Sequence, residues 1–289
     1  MRILKWVGIV GVVLVLSGAL WLMRAKWRTS DAGVNDYFTK RAVPVALRRL
    51  SFLDDSLRVL TTGLPASDTA SPLIIFIHGA PGSSDNFHAY LADSILQTKA
   101  TLVAFDRPGY GYSDYGRAHV SLKEQAAAVG ALLELFPEKR VFLVGHSYGG
   151  PIAVRAALDF SSRIGGLLLL APVQDPVSEP IFWFSWFSYW KATRWMLSGS
   201  WRVCGEEKFS HRGELEKLLP DWSSMKVPVV HIHGGKDWMA PPANTDFSRR
   251  HLAPGLLRLV VWPSEGHLIP FVRFSETRAE LLRLLGVKA

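Results

Sequence analysis

Val141-Phe142-Leu143-Val144-Gly145-His146-Ser147-Tyr148-Gly149-Gly150 decides how the rest of the chain is read. The first four residues are a short apolar run of the kind that forms a buried strand. From Gly150 to Phe160 the chain is rich in small residues and suited to a helix packed closely on a sheet. Between them lies Gly-x-Ser-x-Gly, which in a strand-to-helix setting is a nucleophile elbow: a sharp turn that holds Ser147 at the top of the sheet with its hydroxyl exposed. The flanking glycines leave room for that turn, because a Cβ there would meet the neighbouring strand and helix.

Outward from the elbow, strand and helix signals alternate from about residue 43. Val43 to Leu53 and Ser56 to Thr62 read as two opening strands, paired around Asp54-Asp55. Leu73 to Ile77, Thr101 to Phe105, Gly166 to Leu170, Val227 to Ile232 and Leu256 to Trp262 read as further strands. Phe87 to Gln97 and Ser121 to Phe136 have helical character, the latter closing at Pro137. Short apolar runs alternating with helices predict an α/β fold with a mainly parallel sheet covered on both faces. In such sheets, functional groups collect outside the carboxyl ends of the strands. The stretch from Pro172 to Ser224 is too long for an ordinary crossover and is rich in aromatics, so it is expected to be an inserted cap over those strand ends.

A neutral serine needs a base to take its proton and an acid to orient that base. His267, in Ser264-Glu265-Gly266-His267 just after the Leu256 to Trp262 strand, is the candidate base. Asp237, in His233-Gly234-Gly235-Lys236-Asp237 after the Val227 to Ile232 strand, is the candidate acid, with Asp175 its rival in the preceding loop. Glu265 is too close in sequence to His267 to bridge to its ring. The order Ser, Asp, His suits a strand-to-helix elbow. Acyl transfer also needs N–H donors for the developing oxyanion. The amide of Tyr148 is one candidate and that of Ala80, in His78-Gly79-Ala80-Pro81-Gly82, is the other, since Pro81 has no N–H. That loop lacks the Gly-Lys-Ser/Thr ending of a nucleotide phosphate cradle.

These motifs, with Asp106-Arg107-Pro108-Gly109-Tyr110-Gly111-Tyr112-Ser113, resemble the α/β-hydrolase superfamily and its broad group of capped bacterial hydrolases. The resemblance covers about residues 43–285. It implies an eight-stranded, mostly parallel sheet, no metal or organic cofactor, and a covalent acyl-enzyme. Branches that use an Asp as nucleophile are disfavoured, because this chain has Ser147. The expected function is a serine hydrolase of carboxylic esters, and the alternative is a non-catalytic member that binds a ligand or recruits a partner. Asp106 and Arg107 are expected to brace the loop near the oxyanion donors. His231 and His233 alternate on a strand, but no carboxylate or third histidine lies near them in sequence to complete a metal site. His146 is expected to shape the elbow or line the pocket, and Cys204 to serve as a small packing residue.

The cap segment Ile181 to Trp190 contains Phe182, Trp183, Phe184, Trp186, Phe187, Tyr189 and Trp190, which do not keep to one helical face. Phe182, Trp183 and Trp186 are the candidate substrate contacts, implying an apolar acyl or aromatic ester, or a lipid-like one.

The chain has 289 residues and a net charge of +8. Arg2, Lys5, Arg24, Lys26 and Arg28 surround the first apolar segment with no acidic residue before Asp31, and without those five the balance falls to +3. No basic stripe with interleaved aromatics remains, so no nucleic-acid partner is expected. Trp6 to Met23 is eighteen residues without a charge. As a helix it would span roughly 27 Å, close to the hydrocarbon core of a bilayer. It is therefore expected to be a single-pass transmembrane anchor rather than a cleaved signal peptide, with the catalytic domain exported. The expected organisation is an anchor at 1–28, a linker at 29–42, and a hydrolase domain at 43–289 with its cap at about 172–224.

Overall fold

Four runs of apolar residues build the centre of the sheet: β3 (Leu73–Ile77), β4 (Thr101–Phe105), β5 (Val141–His146) and β6 (Ile164–Leu170). Every residue of the four is buried, as strands covered on both faces require. A hairpin of β1 (Ala46–Phe52) and β2 (Asp55–Gly63) adds antiparallel to β4, while β7 (Val229–Gly234) and β8 (Leu257–Trp262) continue the parallel part. The result is an eight-stranded mixed sheet in the order β1-β2-β4-β3-β5-β6-β7-β8. In this computed structural model the described residues are 27–183 and 185–287, preceded by Trp6, Ser17, Gly18, Arg24 and Ala25.

Each sheet face carries its own apolar core. On one, Leu57, Ile75, Val103 and Leu143 pack with α4 (Leu122–Glu134) and α5 (Gly149–Asp159). On the other, Leu60, Ile74, Phe76 and Val144 meet Val34 and Phe38 of α1 (Asp31–Thr39), the short helices α2 (His88–Leu91) and α3 (Ser94–Gln97), and the C-terminal helix Phe274–Leu284. The linker expected at 29–42 therefore contains a helix. Its signals are local: Ser30 caps it by accepting from the Gly33 N–H at 3.2 Å, and Val34 and Phe38 are spaced to bury one face.

Between β6 and β7 lie α6 (Ser185–Tyr189), α7 (Lys191–Arg194) and the twenty-residue α8 (Gly199–Leu218). The face that α8 turns inward includes Val203, Glu207, His211, Glu214 and Leu218, all buried and recurring at three- and four-residue intervals. An ionisable stripe on the buried face of a helix requires partners, and each of these groups has one. Glu207 meets Arg107 and His211 meets Glu179. Glu214 accepts from the first N–H of α4 at 3.0 Å.

One expectation is corrected. Among the described residues no helix is long and apolar enough to cross a membrane. The segment Trp6 to Met23 lies outside the described residues except for Trp6, Ser17 and Gly18. The transmembrane helix, the membrane partner and the single-pass, exported location all rested on that apolar run, and none is carried further.

Candidate active site

Ser147 sits between β5 and α5 with φ at 54°, in the left-handed region that a non-glycine residue rarely adopts. Its backbone is fixed on both sides. The Ser147 N–H donates to Leu170 O at 2.9 Å, and its carbonyl accepts from Gly150 N at 2.9 Å. The turn is tight because the chain crosses itself here. A Cβ on Gly145 would come within 2.4 Å of Gly149 O, and one on Gly149 within 2.3 Å of Ile77 O. The conformation thrusts the Ser147 side chain out of the turn and toward the loop that follows β8.

That loop presents His267, whose Nε2 lies 2.9 Å from Ser147 Oγ. Its Nδ1 lies 2.8 Å from Asp237 Oδ2. A carboxylate only accepts, so Nδ1 carries the proton and Nε2 offers its lone pair to the serine hydroxyl. Asp237 is held in turn through Oδ1, which accepts from Met239 N at 3.0 Å and Ala240 N at 2.8 Å. The structure thus brings Ser147, His267 and Asp237 into one hydrogen-bonded line. Asp175 is elsewhere: its carboxylate accepts from Val177 N at 2.9 Å and faces Arg250 at 4.0 Å. Glu265 is paired with Arg273 at 2.7 Å. Ala80 and Tyr148 line the same cavity as Ser147, and among the described residues neither backbone N–H donates to a protein acceptor.

A family model described as the alpha/beta hydrolase fold matches residues 72–194. The strand order, the elbow at the end of β5 and this match agree. The chain has the fold of the α/β hydrolases. It is 30% identical over 171 residues to a dihydrolipoyllysine-residue acetyltransferase component of an acetoin cleaving system from Cupriavidus necator, covering 56% of this chain and 44% of that one. It is 30% identical over 121 residues to human monoglyceride lipase, covering 39% and 40%. The chain thus spans under half the length of these curated relatives. Among solved structures, 2-hydroxy-6-oxo-6-phenylhexa-2,4-dienoate hydrolase from Rhodococcus superposes with a TM-score of 0.65 at 17% identity, over 85% of this chain and 100% of that one. At that identity the likeness concerns the fold.

The cavity of this α/β-hydrolase fold has a volume of about 330 Å³ and opens between Ser147 and the cap. Its apolar wall includes Val173, Phe182, Phe187, Leu197, Trp201 and Met239. Of the three aromatic contacts expected from sequence, Phe182 is in the wall, whereas Trp183 and Trp186 are not. Trp183 is 76% exposed, and Trp186 packs on Phe209 at 4.7 Å between ring centroids. The aromatic-rich segment winds through a turn and a short helix, so its rings diverge; Leu197, Trp201 and Met239, from other segments, complete the wall.

The element that sequence reasoning missed is the clamp behind the His78-Gly79-Ala80 loop. Arg107 Nε donates to His78 O at 2.9 Å and Nη2 to Gly79 O at 3.2 Å. Its other edge meets Glu207 of α8 at 2.7 Å, with both side chains fully buried. Tyr110 donates its hydroxyl to Glu207 at 2.6 Å and Gln125 adds an amide at 3.2 Å. Burial opposes the Arg107 charge, and Glu207 beside it more than restores it. Arg107 therefore braces the His78–Gly79 backbone, and its partner is a cap residue. An ionisable residue every three or four positions on a helix looks like a solvated face in sequence, so only Arg107 itself hinted at this pair.

Buried histidines surround the site. His231 and His233, the pair that mimics a metal site in sequence, form a hydrogen-bonded chain instead. His233 Nε2 must donate to Ala240 O at 2.8 Å, so its Nδ1 accepts from His231 Nε2 at 3.0 Å, and His231 Nδ1 accepts from Ser248 at 2.8 Å. Among the described residues no group of three metal-ligating side chains occurs. Both rings are pushed below their usual pKa by burial, as is His78, and burial pushes His146 down to about 3. These four stay neutral in the folded chain but take protons once unfolded, below pH ~6.5. Their contribution to stability is complete above pH ~6.5 and is lost as pH falls toward the folded values. Each can remove up to about 1.4 kcal/mol per pH unit in that window. The urea midpoint is expected to fall steeply from pH 7 to pH 5, and a midpoint constant over that range would contradict this account.

Proposed function

We propose that the chain is a serine hydrolase that cleaves carboxylic esters through a covalent acyl-enzyme. Ser147 Oγ attacks the carbonyl carbon while His267 Nε2 takes its proton. The charge that develops on the carbonyl oxygen is held by the amides of Ala80 and Tyr148, and one such donor is typically worth about 3 kcal/mol in the transition state. As the tetrahedral intermediate collapses, the C–O bond to the alcohol breaks and His267 returns the proton to the leaving oxygen. Water, deprotonated by His267, then attacks the acyl carbon, and Ser147 leaves with its proton restored. Asp237 keeps Nδ1 protonated throughout and stabilises the imidazolium.

The single observation that carries this reading is the hydrogen-bonded line from Asp237 through His267 to a serine held at positive φ. A ligand-binding member of the fold has no need of a base and an acid lined up on that serine. The apolar wall supports an apolar acyl or aromatic ester as substrate. The test is covalent: a fluorophosphonate, which reacts with activated serines, is expected to modify Ser147.

A further inference from the structure

The wall of the cavity is not uniformly apolar. Glu179, His211 and Tyr148 lie together in it, and each holds a buried polar atom with no hydrogen-bond partner: Glu179 Oε2, His211 Nε2 and the Tyr148 hydroxyl. All three side chains are at least nine-tenths buried. They form one cluster. Glu179 Oε1 is bonded to Lys208 Nζ and lies 3.1 Å from His211 Nδ1, and the His211 ring lies on the Tyr148 ring at 4.4 Å between centroids. Unpaired buried polar atoms are uncommon in folded proteins, and three in one pocket wall mark a place where a ligand supplies the partner.

The chemistry of the three atoms selects that ligand. Burial opposes the Glu179 charge, but His211 and Lys208 hold its carboxyl below the usual range, so Oε2 is an acceptor. His211 Nδ1 donates to Glu179, which leaves Nε2 as a second polar partner in the wall, accepting on a neutral ring and donating on a protonated one. The Tyr148 phenol stays protonated because burial raises its pKa, so it donates. The carboxylate is already balanced by Lys208, so neither a cation nor a second carboxylate gains net charge pairing here. A hydroxyl both donates and accepts while carrying no charge, and it matches the cluster.

We infer that Glu179, His211 and Tyr148 form a polar subsite that selects an ester bearing a hydroxyl on its otherwise apolar portion. The inference rests on the serine-hydrolase reading, since the subsite shares its cavity with Ser147. The hydroxyl can belong to the acyl chain or to the alcohol, and two pairs of substrates separate these sources. The first pair is the 4-methylumbelliferyl esters of hexanoic and 6-hydroxyhexanoic acid. The second is the hexanoate monoesters of butan-1-ol and butane-1,4-diol, followed by acid release.

In one pair the wild-type enzyme is expected to prefer the hydroxylated member roughly tenfold or more in kcat/KM, the usual scale for losing a hydrogen bond in a buried site. Tyr148→Phe deletes an unpartnered hydroxyl and keeps the backbone amide, and His211→Phe keeps a ring against Tyr148. Each is expected to move the preference toward one, chiefly through KM. A wild-type ratio near one in both pairs, or a preference unchanged in both variants, overturns the subsite while leaving ester hydrolysis standing. Failure to cleave any of the four esters, together with an unmodified Ser147 after fluorophosphonate treatment, overturns the hydrolase reading and the subsite with it.

Discussion

Asp237→Asn is expected to lower kcat about 10⁴-fold, the scale on which such a change disables a Ser-His-Asp system. The local geometry explains why a neutral isostere should fail. Asp237 Oδ1 accepts from the N–H groups of Met239 and Ala240, so an asparagine keeps those bonds by placing its carbonyl oxygen there. Its amide nitrogen must then face His267 Nδ1. Two donors cannot meet, so the imidazole proton moves to Nε2, the atom 2.9 Å from Ser147 Oγ. The base then has no lone pair for the serine. KM should change little, since Asp237 is absent from the cavity wall. Asp175→Asn should leave kcat within about twofold, because Asp175 is bonded to its own loop and not to the base. Steady-state kinetics on an activated acyl ester separates the two. Equal losses, or a larger one at Asp175, would mean that the acid has been misassigned.

Glu207→Ala is expected to destabilise the fold by about 3–5 kcal/mol, the usual cost of stranding one member of a buried ion pair. The substitution leaves the Arg107 guanidinium fully buried without its counter-charge, and Tyr110 and Gln125 each lose an acceptor. Glu207→Gln retains the shape and part of the hydrogen bonding, so its loss should be smaller. The effect should also reach the rate. Arg107 holds the His78 and Gly79 carbonyls immediately before Ala80, and a loosened guanidinium loosens the loop that carries the proposed Ala80 donor. Urea denaturation monitored by tryptophan fluorescence measures the first effect and kcat the second. A loss below about 1 kcal/mol would place the Arg107–Glu207 pair among ion pairs that contribute little.

The parts of this molecule legible in sequence are those set by short-range pattern. The central strands are unbroken apolar runs bounded by polar turns, and the Ser147 elbow is a contiguous pentapeptide between a strand and a helix. Asp237 and His267 could be proposed because each follows a strand, where the sheet delivers side chains to one edge. The cap behaved differently. Glu207, His211 and Glu179 face inward, yet in sequence an ionisable residue on a helix or in a loop reads as solvent-facing until its partner is known, and the partners lie about 30 to 100 positions away. Aromatic richness in 181–190 likewise gives no direction to each ring, so sequence alone does not separate Phe182, which lines the wall, from Trp183 and Trp186, which do not. The apolar run at Trp6 to Met23 carried a length argument only, and no membrane-spanning helix occurs among the described residues.

The central claim is that Ser147 is activated by His267. Intact-mass measurement of the full chain after fluorophosphonate treatment, followed by peptide mapping, tests it most directly. The account predicts one adduct, on Ser147, formed rapidly in the wild type and lost or strongly slowed in folded His267→Ala. A folded wild-type protein that takes up no label, or takes it at another serine, would contradict it.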